Sequence, residues 1–384
     1  MEGKSVIEAY LDNSATTRPC REAVDRMLEI LTVNYGNPSS LHSKGLQAQL
    51  AVEQARGTVA QKLGAEAKEI IFTSGGTEAN NLAIFGTASA RRRMGNKIIT
   101  SAMEHSSVLA PIHKLEENGW EVIRLKPDIS GCVRMEELEK ALDDKTVLVS
   151  LMLVNNETGA IQPLEEVQRI IRRSGAPALF HCDAVQAFGK LPINVKKTGV
   201  DLMTVSAHKI HGPKGVGALF VKNGVRILPR TFGGGQEREM RPGTESTPLI
   251  AGFGAAAEAL PEPLEQLEKM KSLRQYAWDK LAQVQGVIIN SPPEGLPYLL
   301  NLSCIGIRSE VMLHHLSAGG VYVSSGSACA KGQKSHVLAA MGLDNHRIDS
   351  ALRVSFSRYT TKEEIDLFVT LLESGMERLV RSRR

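Results

Sequence analysis

EIIFTSGGTEANNLAIFG, residues 69–86, decides the fold. A short apolar run enters a Ser-Gly-Gly turn, and the turn enters a stretch with apolar residues at helical spacing. Strand, glycine turn and helix make the first half of a β-α-β unit. The same alternation continues outward to about residue 221. Apolar runs at 97–100, 121–125, 146–154, 178–182, 202–206 and 218–221 are separated by helix-like stretches or turns. This order predicts a largely parallel sheet. Such sheets bind ligands beyond the carboxyl ends of their strands.

Past residue 260 the pattern changes. A helix is predicted over 264–284, with Leu264, Leu267, Met270, Leu273, Tyr276 and Leu281 on its apolar face. SPPEGLP (291–297) breaks the chain. A strand (298–303), two helices (309–318 and 336–341), a strand (351–355) and a terminal helix (362–379) follow. The expected organisation is a large α/β domain over 15–259 and a smaller α+β domain from 1–14 and 260–384.

Composition limits the function. Of 384 residues, 46 are Lys or Arg and 42 are Asp or Glu, a formal net charge of +4. So small an excess does not imply nucleic-acid binding. With 9 Phe, 2 Trp and 6 Tyr there is no obvious stacking platform for single strands. The basic tail MERLVRSRR reads as a solvated helix end. No apolar run reaches the roughly 18 residues of a membrane span, and the N-terminus lacks a secretory pattern. Five cysteines without a CxxC pair argue against a disulfide framework or a zinc site, so no metal is expected. A reducing cytoplasm is the expected location.

The chemistry-bearing residues fall just past the strand-like runs. Gly75, Gly76 and Thr77 open a helix, where free backbone N–H groups and the helix dipole favour an anion such as phosphate. A tight strand-to-helix turn would look the same. Lys209 stands in VSAHKIHGPKGVGALF (205–220), beside Ser206, His208 and His211. GPKGVG forms no regular element, so the lysine is held on a fixed loop, where it can form a Schiff base with an aldehyde. Asp183 ends the run in FHCDAVQAFGK (180–190). A carboxylate there wants a cation, such as a pyridinium nitrogen; it also reads as a helix N-cap. Gln186 follows three residues on. His105, past the run 97–100, can lie on a ring or move a proton. Asn156 in VNNETG (154–159) can donate to a carboxylate or ring oxygen. Arg353 in ALRVSFSR, read as sitting at the start of a small-domain strand, offers a bidentate clamp for a substrate carboxylate. Cys329, in SSGSACAKGQKSH (324–336), lies among small polar residues. That setting predicts an accessible thiol, with Lys331 and Lys334 favouring thiolate. Cys20, Cys132, Cys182 and Cys304 read as structural.

Together these pieces resemble the NifS/IscS family of cysteine desulfurases, pyridoxal-phosphate enzymes of the class V aminotransferase group. The resemblance runs nearly end to end. It is carried by YLDNSATT (10–17), GNPSSLH (36–42), SGGTEANN (74–81), EHSSVL (104–109), VNNETG, HCDAVQAFGK, SAHKIHGPKG, GGGQEREMRPGT (233–244), SSGSAC (324–329) and LRVSFSRYTT (352–361). It implies fold type I, with a mostly parallel seven-stranded sheet in the large domain.

The resemblance also implies roles. Lys209 carries pyridoxal 5'-phosphate and shuttles the proton. His105 stacks on the ring. Asp183 pairs with the ring nitrogen and Gln186 with the phenolic oxygen. Gly76, Thr77, Ser206 and His208 hold the phosphate. Thr244 reaches the phosphate of the other subunit, which implies a homodimer. Asn156 and Arg353 bind the carboxylate of L-cysteine. Cys329 is the nucleophile and keeps a persulfide for an acceptor protein. Val337 stands eight residues past Cys329, a shorter stretch than housekeeping IscS-type members carry. The acceptor can be an iron-sulfur scaffold or a tRNA- or thiamine-sulfuration partner. The alternatives are a selenocysteine lyase, another class V enzyme, or a non-catalytic binding protein.

Overall fold

The structure, a computed structural model, describes residues 8–325 and 334–379. In chain order the strands are β1 (Ala9–Tyr10), β2 (Ile70–Thr73), β3 (Lys97–Ser101), β4 (Glu121–Leu125), β5 (Thr146–Ser150), β6 (Leu179–Asp183), β7 (Leu202–Ser206), β8 (Gly217–Val221), β9 (Val287–Ile289), β10 (Leu299–Cys304), β11 (Val321–Tyr322), β12 (Ser324–Ser325) and β13 (Ala351–Ser355). Seven of them form one sheet in the order β2-β8-β7-β6-β5-β3-β4. Its β7-β6-β5-β3-β4 portion is parallel, while β8 runs antiparallel to both neighbours.

β2, β3, β5, β6 and β7 are buried along their whole length. Continuous burial is the mark of a sheet covered on both faces, and it explains why apolar residues fall on both faces of these strands instead of alternating. Helix Gly76–Arg91 follows β2 and packs against β5, β6, β7 and β8. Its buried Leu82 and Ala83 join Ile71, Leu202 and Leu219 of the sheet in one apolar cluster. Helix Ser106–Glu117 lies beside it.

A four-stranded antiparallel sheet, β12-β13-β10-β9, is built from the C-terminal part of the chain. β1 pairs in parallel with β11, and Asp12 bridges to Ser355. The residues just after β1 therefore reach from this small sheet toward the large one. The predicted helix over 264–284 is observed as Pro263–Leu281, and the terminal helix as Lys362–Arg378.

Two details differ from the sequence reading. The apolar run 146–154 forms a strand only to Ser150. Leu151 and Leu153 still donate to β6 through their N–H groups, but β3 has ended. The Met152 N–H goes instead to Glu104 Oε1 at 3.0 Å. Arg353 lies in the middle of β13, not at its start.

Candidate active site

The six co-directional strands deliver their carboxyl ends to one edge. Asp183 closes β6, Ser206 closes β7, Glu104 and His105 follow β3, and Asn156 follows β5. β7 returns as β8 through a loop over 207–216, with Ser206 opposite Gly217. Lys209 ends the 3-10 turn Ala207–Lys209 at the head of that loop.

Lys209 is held by the N-terminal segment. Its Nζ donates to the Ser14 carbonyl at 2.5 Å and to the Ala15 carbonyl at 2.7 Å. Thr17 fastens the turn from the other side. Its N–H and hydroxyl both donate to the His208 carbonyl at 2.9 Å, and its Oγ1 accepts from the His211 N–H at 2.7 Å. His211 adopts φ 65°, a left-handed value that a side chain adopts only when its surroundings fix it. Its ring bonds the Arg18 carbonyl at 2.9 Å and meets Tyr359 edge-on.

Asp183 is buried. Asn80 donates to its Oδ2 at 2.7 Å, and the Val185 N–H donates to its Oδ1 at 3.0 Å. The same Asn80 amide donates to Ser107 Oγ at 2.9 Å, which ties it to the His105 turn. His105 caps helix Ser106–Glu117, accepting from the Ser107 N–H at Nδ1. Burial holds its imidazole below the usual range; the Asp183 carboxylate opposes this, and Lys209, His336 and Arg353 reinforce it. These charges therefore meet around one ring. His208 bonds Thr16 Oγ1 at 3.3 Å, and burial with Lys209 brings it down to about 4.

Gly76 begins the helix over 76–91, and Gly75 precedes it without any side-chain cap. A Cβ at Gly76 would lie 2.9 Å from Val185 Cγ2 and 3.9 Å from Ser206 Cβ. Gly217 lets the strands close in: a Cβ there would meet the Val205 carbonyl oxygen at 2.7 Å and Gly75 Cα at 2.8 Å. The Ser206 hydroxyl is buried beside this turn, and no described residue bonds it. Ser14 Oγ is in the same condition. Thr77 is exposed on the first turn of the helix. Thr244 is exposed on a loop whose Arg241 pairs with Glu78 at 2.9 Å.

Arg353 is buried between Asp12, 3.0 Å from Nη2, and the Asn156 carbonyl, 3.1 Å from Nη1. Its Nε has no partner among the described residues. Neighbouring Asn155 is structural: its Oδ1 accepts from Glu157 and Thr158, and its Nδ2 donates to the Met103 carbonyl.

Cys329 lies outside the described residues, but the chain on either side of it is placed. Ser324 is paired in register with Arg353. Ser335 donates to Glu157 Oε2 at 2.5 Å, and His336 Nε2 donates to the Glu104 carbonyl at 3.0 Å. Of the other cysteines, Cys20, Cys182 and Cys304 are buried and Cys132 is half-buried. Burial raises the Cys182 thiol well above its usual range and Cys304 to about 12.

Sequence reasoning gave no role to several buried groups here. Asn80 stands within the quoted SGGTEANN, but only folding brings it to Asp183. Asp12 meets Arg353 across almost the whole chain. Burial raises Glu104 to about 8 and Glu157 to about 7. Lys190 donates to Gln186 Oε1 at 3.0 Å, and Gln186 Nε2 donates to the Ser14 carbonyl at 3.0 Å.

Residues 9–368 match the model of the class V aminotransferase family, and the chain belongs to that family. A protein named cysteine desulfurase IscS, from Dictyoglomus turgidum, is 42% identical over 377 residues, covering 97% of this chain and 95% of that protein. Among solved structures, a NifS-like protein superposes with a TM-score of 0.92 at 40% identity, covering 97% of this chain and 100% of that one. The structure of SspA in complex with cysteine gives a TM-score of 0.82 at 34% identity, over 92% of this chain and 100% of that one. No helix among the described residues is long and apolar enough to cross a membrane.

Proposed function

We infer that this chain is a cysteine desulfurase, which takes sulfur from L-cysteine, releases L-alanine and carries the sulfur as a persulfide on Cys329. One observation carries the reading. Lys209, Asp183, His105 and Ser206 share one end of the sheet, and both described flanks of the Cys329 segment are fastened to Arg353, Glu157 and Glu104 at that same end. The likeness to a cysteine complex of SspA supports the substrate.

The residues fit pyridoxal 5'-phosphate. A buried carboxylate, an amine on a fixed turn, and an unpartnered buried hydroxyl beside an uncapped helix start are the donors and acceptors that it needs. When bound, it supplies an electron sink for the α-carbon of the amino acid. Lys209 would hold it covalently through Nζ. Asp183, fixed by Asn80, would keep the ring nitrogen protonated. Gln186 would donate to the phenolic oxygen. Gly76, Thr77, Ser206 and His208 would hold the phosphate, and Thr244 of a second copy would reach it. His105 would cover the ring face.

Arg353 and Asn156 bind the substrate carboxylate and orient the α-carbon. Lys209 moves the proton from that carbon. The Cys329 thiolate attacks the substrate sulfur. A sulfur–sulfur bond forms, the carbon–sulfur bond breaks, and its electron pair stays with the amino-acid fragment, which is protonated and leaves as alanine. The persulfide then passes to an acceptor protein. A reducing cytoplasm suits a thiol that must stay free.

We place the second copy on the face carrying Val24, Leu28, Leu31, Tyr35, Leu46 and Leu50, which are about half exposed or more. Apolar side chains exposed together mark an interaction surface. The pairing of β1 with β11 and of Asp12 with Ser355 supports a small domain made of 1–14 and 260–384, set against a cofactor domain over 15–259. The test is spectroscopic. Reconstituted protein should show a visible band that changes when L-cysteine is added, and Lys209→Ala should lack it. A wild-type protein that binds no cofactor defeats the reading.

A further inference from the structure

Lys190 is buried behind Lys209 and has no part in the roles above. Its Nζ donates to Gln186 Oε1 at 3.0 Å and lies 5.9 Å from the centre of the Tyr298 ring. An ammonium has three donors and no acceptor. In that charged form, the atom of Gln186 that meets it is the amide oxygen. The other end of the amide meets the Ser14 carbonyl at 3.0 Å. A carbonyl only accepts, so the atom there must be the NH2 group. Two separate partners thus select one orientation of the same amide. The Ser14 oxygen also accepts from Lys209 Nζ, which sets the Gln186 NH2 group next to the amine. After the bond to Ser14, Gln186 keeps one N–H for another acceptor.

We propose that Lys190 is a positioning residue that holds Gln186 with its NH2 group toward the cofactor's phenolic oxygen and its carbonyl away from it. The proposal rests on the cofactor reading above. A reversed amide would set a carbonyl oxygen against a phenolate, two acceptors with no proton between them. The position is costly for a cation. Burial, then Lys209 and Arg353, bring Lys190 down to about 7. No carboxylate among the described residues pairs with it. The Gln186 oxygen and the Tyr298 ring face are what meet its charge.

The test titrates the visible band of reconstituted holoprotein without substrate. Lys190→Met should raise the pH midpoint of the band by about half a unit to one unit, the equivalent of one lost hydrogen bond. Lys190→Arg, which can also only donate, should restore the wild-type midpoint. Gln186→Ala should raise it as Lys190→Met does, and adding Lys190→Met to Gln186→Ala should do nothing more. An unchanged midpoint in Lys190→Met overturns the proposal. So does a Lys190→Met shift that persists in full without Gln186, since the lysine would then act by charge alone. Should Lys190→Met not fold, Gln186→Glu keeps a partner for Lys190 but has no N–H donor, and its midpoint must rise; no rise overturns the proposal. A wild-type protein without a visible band defeats the cofactor reading, and this proposal with it.

Discussion

Asn80 and Asp183 are joined by a 2.7 Å hydrogen bond inside the protein, the amide donating to the carboxylate. The bond fixes a buried negative charge at the end of β6. A hydrogen bond to a charged group is worth about 1.5–3 kcal/mol. Asn80→Ala should therefore lower kcat/KM by about tenfold to a hundredfold. Asp183→Asn, which removes the charge itself, should lower it further. Steady-state kinetics on both variants decides the order; an Asn80→Ala enzyme slower than Asp183→Asn would contradict it.

Arg353 is clamped by Asp12 and the Asn156 carbonyl, and its register partners in the sheet are Ser324 and Asn301. Lysine cannot reproduce its planar fork. Arg353→Lys should raise the KM for L-cysteine by about tenfold or more. The visible band of the cofactor should stay unchanged. A shifted band with an unchanged KM would move Arg353 out of the substrate site.

Gly217 is a close approach between β8 and the turn at Gly75, with backbone atoms 2.7 and 2.8 Å from any added Cβ. Gly217→Ala must displace one of them. Cofactor retention during dialysis should fall while L-cysteine binding by the retained fraction stays normal. Full retention would mean that this turn does not hold the phosphate.

Glu104 is fully enclosed, and burial raises it from the usual carboxylate range to about 8. Ser101 Oγ and the Met152 N–H bond one oxygen; the other has no described partner. The folded protein thus keeps this proton up to about pH 8, while the unfolded chain loses it near the usual value of about 4.3. The unfolded state binds fewer protons between those limits, so the Glu104 contribution to stability falls as pH rises through them. Glu104→Gln should flatten the decline of Tm between about pH 5 and 8. Parallel melting curves for the two proteins would show that Glu104 is ionised in the fold.

The strand-turn-helix over 69–86 is legible because its signals are local: an apolar run, two glycines and a helical period. Lys209 is legible because GPKGVG permits no regular element around it. Lys190 is not. It follows Gly189 in FGK with no local signal of burial, and Tyr298, which meets it, lies more than a hundred residues away in the chain. The end of β5 is hidden for a related reason. Residues 151–154 stay apolar and buried, yet the neighbouring strand has ended and a Glu104 oxygen has taken over the Met152 N–H. The tie of Arg353 to Asp12 joins the two ends of the chain, a distance at which sequence spacing carries no information.

Alanine and sulfide measured together, from L-cysteine and a thiol reductant, test the desulfurase reading most directly. Wild-type protein should release the two in equal amounts. Cys329→Ala should bind the cofactor and release neither. Alanine and sulfide from Cys329→Ala at the wild-type rate would contradict the assignment of the sulfur-accepting thiol, and with it the persulfide step.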